Sequence, residues 1–206
     1  MAGTKHTKGV LDLTFMDIEN EDSLLENIRN ESGKQISSPS KKAMLMMTQP
    51  PPMIGVTQPI ADPECIKAVR LSNNKLESLE QLVGPFMANV DTSKVLWLDL
   101  SFNALAALGS DAVPTAFPNV TTIYLHANNI SKLAQLKKLK NFPNLKSLTL
   151  YGNPIEEHKH YRNFVMYYCK TLYQFDSSPV TGSDRARNDV WAQTFRKVLN
   201  SEEDDW

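Results

Sequence analysis

Four histidines, two cysteines and a set of ring-bearing side chains are the residues of this 206-residue chain with types suited to chemistry. His158 and His160 form the one close histidine pair, with Glu156 and Glu157 beside them. A His-x-His step is the kind of spacing that begins a zinc site, but no cysteine or further acidic cluster stands near to complete one. No metal and no cofactor are therefore expected. Asp99 has the type of a general base, yet no histidine stands in sequence register with it. No Gly-x-Ser-x-Gly elbow occurs, and the eight glycines are scattered rather than gathered into a phosphate-cradling loop. Catalysis and a small-molecule substrate are not expected. Cys65 and Cys169 lie more than a hundred positions apart. Two buried thiols in a reducing, cytosolic setting account for them better than a disulfide framework or a reactive pair. What recurs at usable spacing is aromatic: Trp97, Tyr124, His126 and Tyr151, with Asp99 and Phe102 set between them. Rings with polar handles, gathered on one surface, bind another protein.

A phrase that the chain writes four times must position those residues. It reads LxxLxLxxNxL and starts at Ile66, Val95, Val120 and Leu145, with Phe-Pro-Asn leading into the last two copies. Intervals of 29, 25 and 25 residues mean a leucine-rich repeat solenoid. Within each copy the fourth and sixth residues face one side of a short strand, because strand side chains alternate. Those pairs are Val69/Leu71, Leu98/Leu100, Ile123/Leu125 and Leu148/Leu150, and with the first-position residues they form the core. Burying one such side chain contributes roughly 1.5–3 kcal/mol, so a single repeat cannot fold alone and must stack on neighbours. Asn74, Asn103, Asn128 and Asn153 follow the strands where the chain bends inwards. An amide holds donors and an acceptor, so these four satisfy the backbone of the bend and are structural.

The third, fifth, seventh and eighth positions then face the concave side of a short parallel sheet. They carry Trp97, Asp99, Ser101 and Phe102 in the second copy and Tyr124 and His126 in the third. Tyr151 follows in the fourth. Phe102, at the eighth position, either joins that surface or turns into the rim as a structural residue. On the convex side Leu133, Leu136 and Leu139 recur every three residues, which fits a short or 3₁₀ helix. Lys132, Lys137, Lys138, Lys140 and Lys146 accompany them, as a solvated face or as a patch for an acidic partner. The longer first interval, with Gly84-Pro85 in it, predicts a helix around 77–89 followed by a looped insertion.

The fold class is thus α/β: four repeats and a C-terminal cap strand. Residues 1–63 are expected as an N-terminal arm and proline-rich linker, 64–182 as the repeat domain with its cap, and 183–206 as a last helix and acidic tail. In the arm, a short helix at about 22–30 has Asp22 or Ser23 as its cap and Leu24, Leu25 and Ile28 on one face. So short a helix must dock, on its own solenoid or on a partner. Residues 31–63 carry Met44-Leu45-Met46-Met47 and Pro50-Pro51-Pro52 with no period, the composition of an extended linker. Val165, Tyr168 and Leu172 are spaced to line the inside of a cap helix, and Leu172 with Phe175 adds a strand. The last helix, over 184–200, has Asp184 as its expected cap and Val190, Trp191, Phe195, Val198 and Leu199 as its apolar stripe. A formal net charge of -1 and a pI near 6.4 give no basic field for nucleic acid or an anionic membrane. The N-terminus lacks a signal peptide's apolar run, and no stretch is apolar enough to span a bilayer.

Taken together, LDLSFN at 98–103, YLHANNI at 124–130, SLTLYGNPIEE at 147–157, YRNFV at 161–165 and FDSSPVT at 175–181 resemble a known class. It is the leucine-rich repeat class of the protein-phosphatase-1 regulatory subunit, and the axonemal dynein light chain and the spliceosomal A-prime protein are similar too. The likeness covers about residues 64–195, and Lys170-Thr171 stand where the class usually has a proline before the cap strand. The resemblance implies a non-enzymatic adaptor in the cytoplasm that binds a protein partner within a larger assembly, in a ciliary axoneme. Regulation of a protein phosphatase is the alternative it implies. An RNA-associated role is disfavoured by the near-neutral charge.

Overall fold

Each copy of the repeated phrase contributes one three-residue strand. A computed structural model of the chain describes residues 9–32 and 66–195. Strands β1 (Val10–Asp12), β2 (Ala68–Arg70), β3 (Trp97–Asp99), β4 (Thr122–Tyr124) and β5 (Ser147–Thr149) run parallel, each paired in register with the next. β6 (Gln174–Phe175) continues the parallel order, and β7 (Ser178–Pro179) turns back antiparallel to close the sheet. The register puts Leu11, Val69, Leu98, Ile123, Leu148 and Phe175 in one row, all buried. The fourth-position rule holds.

The four asparagines form a ladder that ties each turn to the one before it. The Nδ2 of Asn103 donates to Leu100 of its own turn and to Leu71 of the preceding turn, at 3.1 and 2.9 Å. Asn128 and Asn153 repeat this with Leu100 and Leu125 of their preceding turns, at 3.0 and 2.8 Å. Each Oδ1 accepts an N–H from the preceding turn: Leu76 to Asn103, Leu105 to Asn128 and Ile130 to Asn153. A second regularity accompanies it. The residue before each asparagine is left-handed: Asn73, Phe102, Ala127 and Gly152 have φ between 54° and 70°.

Residues 9–32, expected as an arm ahead of the repeats, are built into the solenoid. β1 pairs with β2, Phe15 takes the same left-handed turn (φ 59°), and Leu11, Leu13 and Ile18 join the core. Met16 stands where the other turns have asparagine, so this turn cannot hold itself and relies on Asn74 to complete its bend. The described sheet therefore has five repeat strands, not four. Helix α1 (Glu21–Ser32) buries Leu24 and Ile28 on its own solenoid, which decides between the two docking alternatives. Its start is closed by Asn20 rather than by Asp22 or Ser23. The Ser23 N–H donates to Asn20 Oδ1 at 3.0 Å, and the Asn20 N–H donates to the Ser23 hydroxyl at 3.2 Å.

On the convex side, Leu133, Leu136 and Leu139 are the buried residues of a 3₁₀ helix, Leu133–Asn141, as their spacing of three predicts. The longer first interval forms a 3₁₀ turn, Leu79–Leu82, running into helix α2 (Val83–Asn89). Helix α3 (Ala112–Ala116) covers the next turn. The array ends in helix α4 (Tyr161–Tyr168), which buries Phe164 and Val165, and helix α5 (Gly182–Thr194) packed against it. Thr181 caps α5, with Asp184 as the reciprocal partner three residues on. Val190 of the expected apolar stripe is 64% exposed. Asn188 instead faces inwards, accepting from Asn163, and Trp191 packs on Phe164. Arg185 donates to the carbonyls of Met166, Cys169 and Leu172, satisfying the open end of α4. Cys169 is a buried thiol whose pKa burial pushes up. Among the described residues no helix is long and apolar enough to cross a membrane. Cys65, the Met44–Met47 cluster, the prolines of 31–63, Val198, Leu199 and the acidic tail lie outside the described residues.

Candidate functional site

The odd-numbered positions of each strand point away from the core, and small side chains floor the surface they form. Ala68, Ser72, Ser101 and Ser147 are buried there beneath larger neighbours. Across this floor the rings of Trp97, Tyr124, His126, Tyr151 and Phe102 join in one connected group. Trp97 meets Tyr124 nearly edge to face, with centroids 5.5 Å apart at 77°. Tyr124, at the end of β4, and His126, two residues beyond it, lie 6.1 Å apart, and His126 stacks on Tyr151 at 4.6 Å and 11°. Phe102 sets its ring edge-on to His126 at 5.3 Å. Five of the six residues singled out by spacing are thus linked through successive ring contacts, Trp97 and Tyr124 on neighbouring strands about 4.8 Å apart and Phe102, His126 and Tyr151 just beyond the strand ends.

Phe102 stands at the edge of the ring group. Its left-handed backbone belongs to the rim turn that every repeat makes, while its side chain is 52% exposed and borders the ring group. Asp99, the sixth residue, is not placed as a base. Its Oδ1 accepts from the Ser101 N–H and hydroxyl at 3.2 and 2.6 Å, a local lock that Asp12 repeats with Thr14. His126 Nδ1 lies 3.0 Å from the Thr149 hydroxyl. Burial lowers the pKa of His126, against an opposing pull from Asp99.

Two residues outside the expected set join the surface. The Arg70 guanidinium lies over the Trp97 ring at 5.1 Å and pairs with Asp12 at 3.5 Å. Arg70 shares the strand register of Asp99, and that register was the available signal. Asp12 had none, because its repeat lacks the asparagine that marks the others. The histidine pair has a different role. His158 and His160 sit 6.4 Å apart, and His160 packs against Phe195 and Trp191 in the cap. Among the described residues no group of three or more His, Cys, Asp or Glu side chains is placed to hold a metal. On the convex side Lys138 donates to the Gly109 carbonyl.

A stack of short parallel strands, an asparagine ladder and 3₁₀ helices behind it define the class of leucine-rich repeat proteins. The chain belongs to the leucine-rich repeat family, whose profile matches residues 56–200. It is similar to leucine-rich repeat-containing protein 51 of Rattus norvegicus, at 42% identity over 124 residues, 59% of this chain and 62% of that protein. The Homo sapiens protein of the same name is 40% identical over the same shares. The U2 small nuclear ribonucleoprotein A′ of Neurospora crassa is 33% identical over 94 residues, 46% of this chain and 37% of that protein. The chain spans less than two thirds of the length of these curated relatives. A crystal structure of a Drosophila melanogaster SNF/U2A′ complex contains a chain of like fold, with TM-score 0.63 and 22% identity. The match covers 93% of this chain and 87% of that one.

Proposed function

We propose that this chain is a non-enzymatic adaptor that grips a protein partner with the concave face of its sheet. The observation that carries the reading is the connected group of rings, Trp97–Tyr124–His126–Tyr151 with Phe102 alongside, on a floor of small side chains. Side chains with few rotamers and polar tips, held in place before a partner arrives, give affinity at low ordering cost. The motif resemblance to the axonemal class supports the cytoplasm of a cilium, within an axonemal assembly, as the place where the adaptor works. The same resemblance supports regulation of a protein phosphatase as the second reading.

Crosslinking and mass spectrometry of the chain recovered from native ciliated material tests both. An axonemal protein crosslinked to the concave strands supports the first reading, and a phosphatase catalytic subunit in its place supports the second. Trp97→Ala with Tyr124→Ala is expected to abolish recovery of the crosslinked partner while the circular dichroism spectrum stays unchanged. Undiminished recovery with the fold intact would overturn the concave face as the binding surface.

A further inference from the structure

The charges on the concave face narrow the chemistry of what it takes. Among the described strand positions that face this side, the charged residues are Asp12, Arg70 and Asp99. The Arg70 guanidinium pairs with Asp12 and lies over the Trp97 ring, while its buried Nε has no hydrogen-bond partner among the described residues. Among the described residues Asp99 forms no ion pair; Ser101 occupies its Oδ1, and its Oδ2 has no hydrogen-bond partner. Its register neighbours are Arg70 on one side and Tyr124 on the other. A carboxylate without an ion pair beside aromatic rings is a setting in which a cation gains from both the charge and the ring quadrupole. The face already shows this pairing within itself, since the Arg70 guanidinium rests on Trp97 next to the Asp12 carboxylate. An acidic peptide or a nucleic-acid backbone would meet two carboxylates and one cation that is already paired.

We propose that the partner is a protein segment presenting an arginine or lysine, whose stem lies against Tyr124 and Phe102 and whose charge pairs with Asp99. This rests on the concave face being the binding surface. The test uses the full chain labelled with ¹⁵N and a blocked peptide of repeated Ala-Ala-Arg as probe. Matched peptides with citrulline or glutamate in place of arginine are the controls. The arginine peptide is expected to shift the Trp97 indole N–H and the amides of Asp99 and Ser101. Asp99→Asn, which retains the acceptor for Ser101, is expected to weaken this binding about tenfold. An equal response to the citrulline peptide, binding of the glutamate peptide, or an unchanged affinity of Asp99→Asn would overturn the proposal. The two readings separate cleanly. If Trp97→Ala with Tyr124→Ala abolishes partner recovery but Asp99→Asn does not weaken it, the face binds and the basic-segment assignment fails.

Discussion

Asn74 Oδ1 accepts the peptide N–H of Ile18 at 3.1 Å, a bond spanning 56 positions of sequence. The same carboxamide accepts from Met16 at 3.0 Å and donates to the carbonyls of Leu13 and Leu71 at 2.8 and 3.0 Å. Asn74 thus supplies the whole bend of a turn that has no asparagine of its own. Removing it strands several buried backbone groups, each costing about 1–3 kcal/mol when left unmet. Asn74→Ala is expected to lower stability by about 2–4 kcal/mol in urea titrations. A loss below about 0.5 kcal/mol, the scale of ordinary surface changes, would mean the N-terminal turn is not held this way.

The docked α1 helix makes a second expectation. Leu24 is fully buried, so Leu24→Ala leaves a cavity and should cost about 2–5 kcal/mol. The β2 amides should then exchange faster with solvent, because β1 and α1 shield that end of the sheet. Were residues 9–32 a separate arm, the same substitution would leave both melting temperature and β2 exchange unchanged.

The left-handed turn before each asparagine separates architecture from surface. Gly152 (φ 70°) has no side chain there, and a Cβ would come within 3.3 Å of the Ala127 backbone nitrogen. Gly152→Ala should destabilise by about 1–3 kcal/mol. Phe102 bears a ring at the same register, and Asn73 shows that asparagine takes this conformation. Phe102→Asn relieves backbone strain and loses one ring contact, so stability should change by less than about 1 kcal/mol. Partner affinity should fall all the same. A variant that melts well below the natural protein would make Phe102 a fold residue rather than a binding one.

The core rows, the 3₁₀ helix and the asparagines were legible because each position recurs with a fixed residue type. The first turn was not. It has Met16 in place of asparagine and no apolar first-position residue, and 35 residues part its helix from the next strand, so no interval betrays it. The aromatic face was legible for a simpler reason, since strand alternation fixes which residues share a side. Pairing within that face was not, because Arg70 chooses between Asp12 and Asp99 by geometry that spacing does not hold. At the C-terminal cap, Val190 matched a helical stripe, but Arg185 and Asn188 claim the inner face by bonding groups on α4. Specific polar contacts outweighed the apolar pattern there.

Asp176 directly follows the last parallel strand, and its acidity gives a pH-dependent prediction. Its carboxylate accepts the N–H groups of Leu150 and Tyr151 at 2.6 and 3.1 Å and the Tyr161 hydroxyl. Burial raises its pKa above the ordinary 3.8, against those two backbone bonds, which pull it down. The folded state therefore holds this proton more tightly than the unfolded chain. Its contribution to stability is fully present below the unfolded value and is lost as pH rises through the folded one. Asp176→Asn keeps an acceptor for Leu150 and Tyr151 and removes the charge. The variant should match or exceed the natural protein near pH 7 and lose that advantage as the pH falls towards about 4. Thermal melts of both proteins across that range measure the difference directly, since titrations elsewhere in the chain cancel. An advantage that grows on acidification would mean that the hydrogen bonds, rather than burial, set the acidity of Asp176.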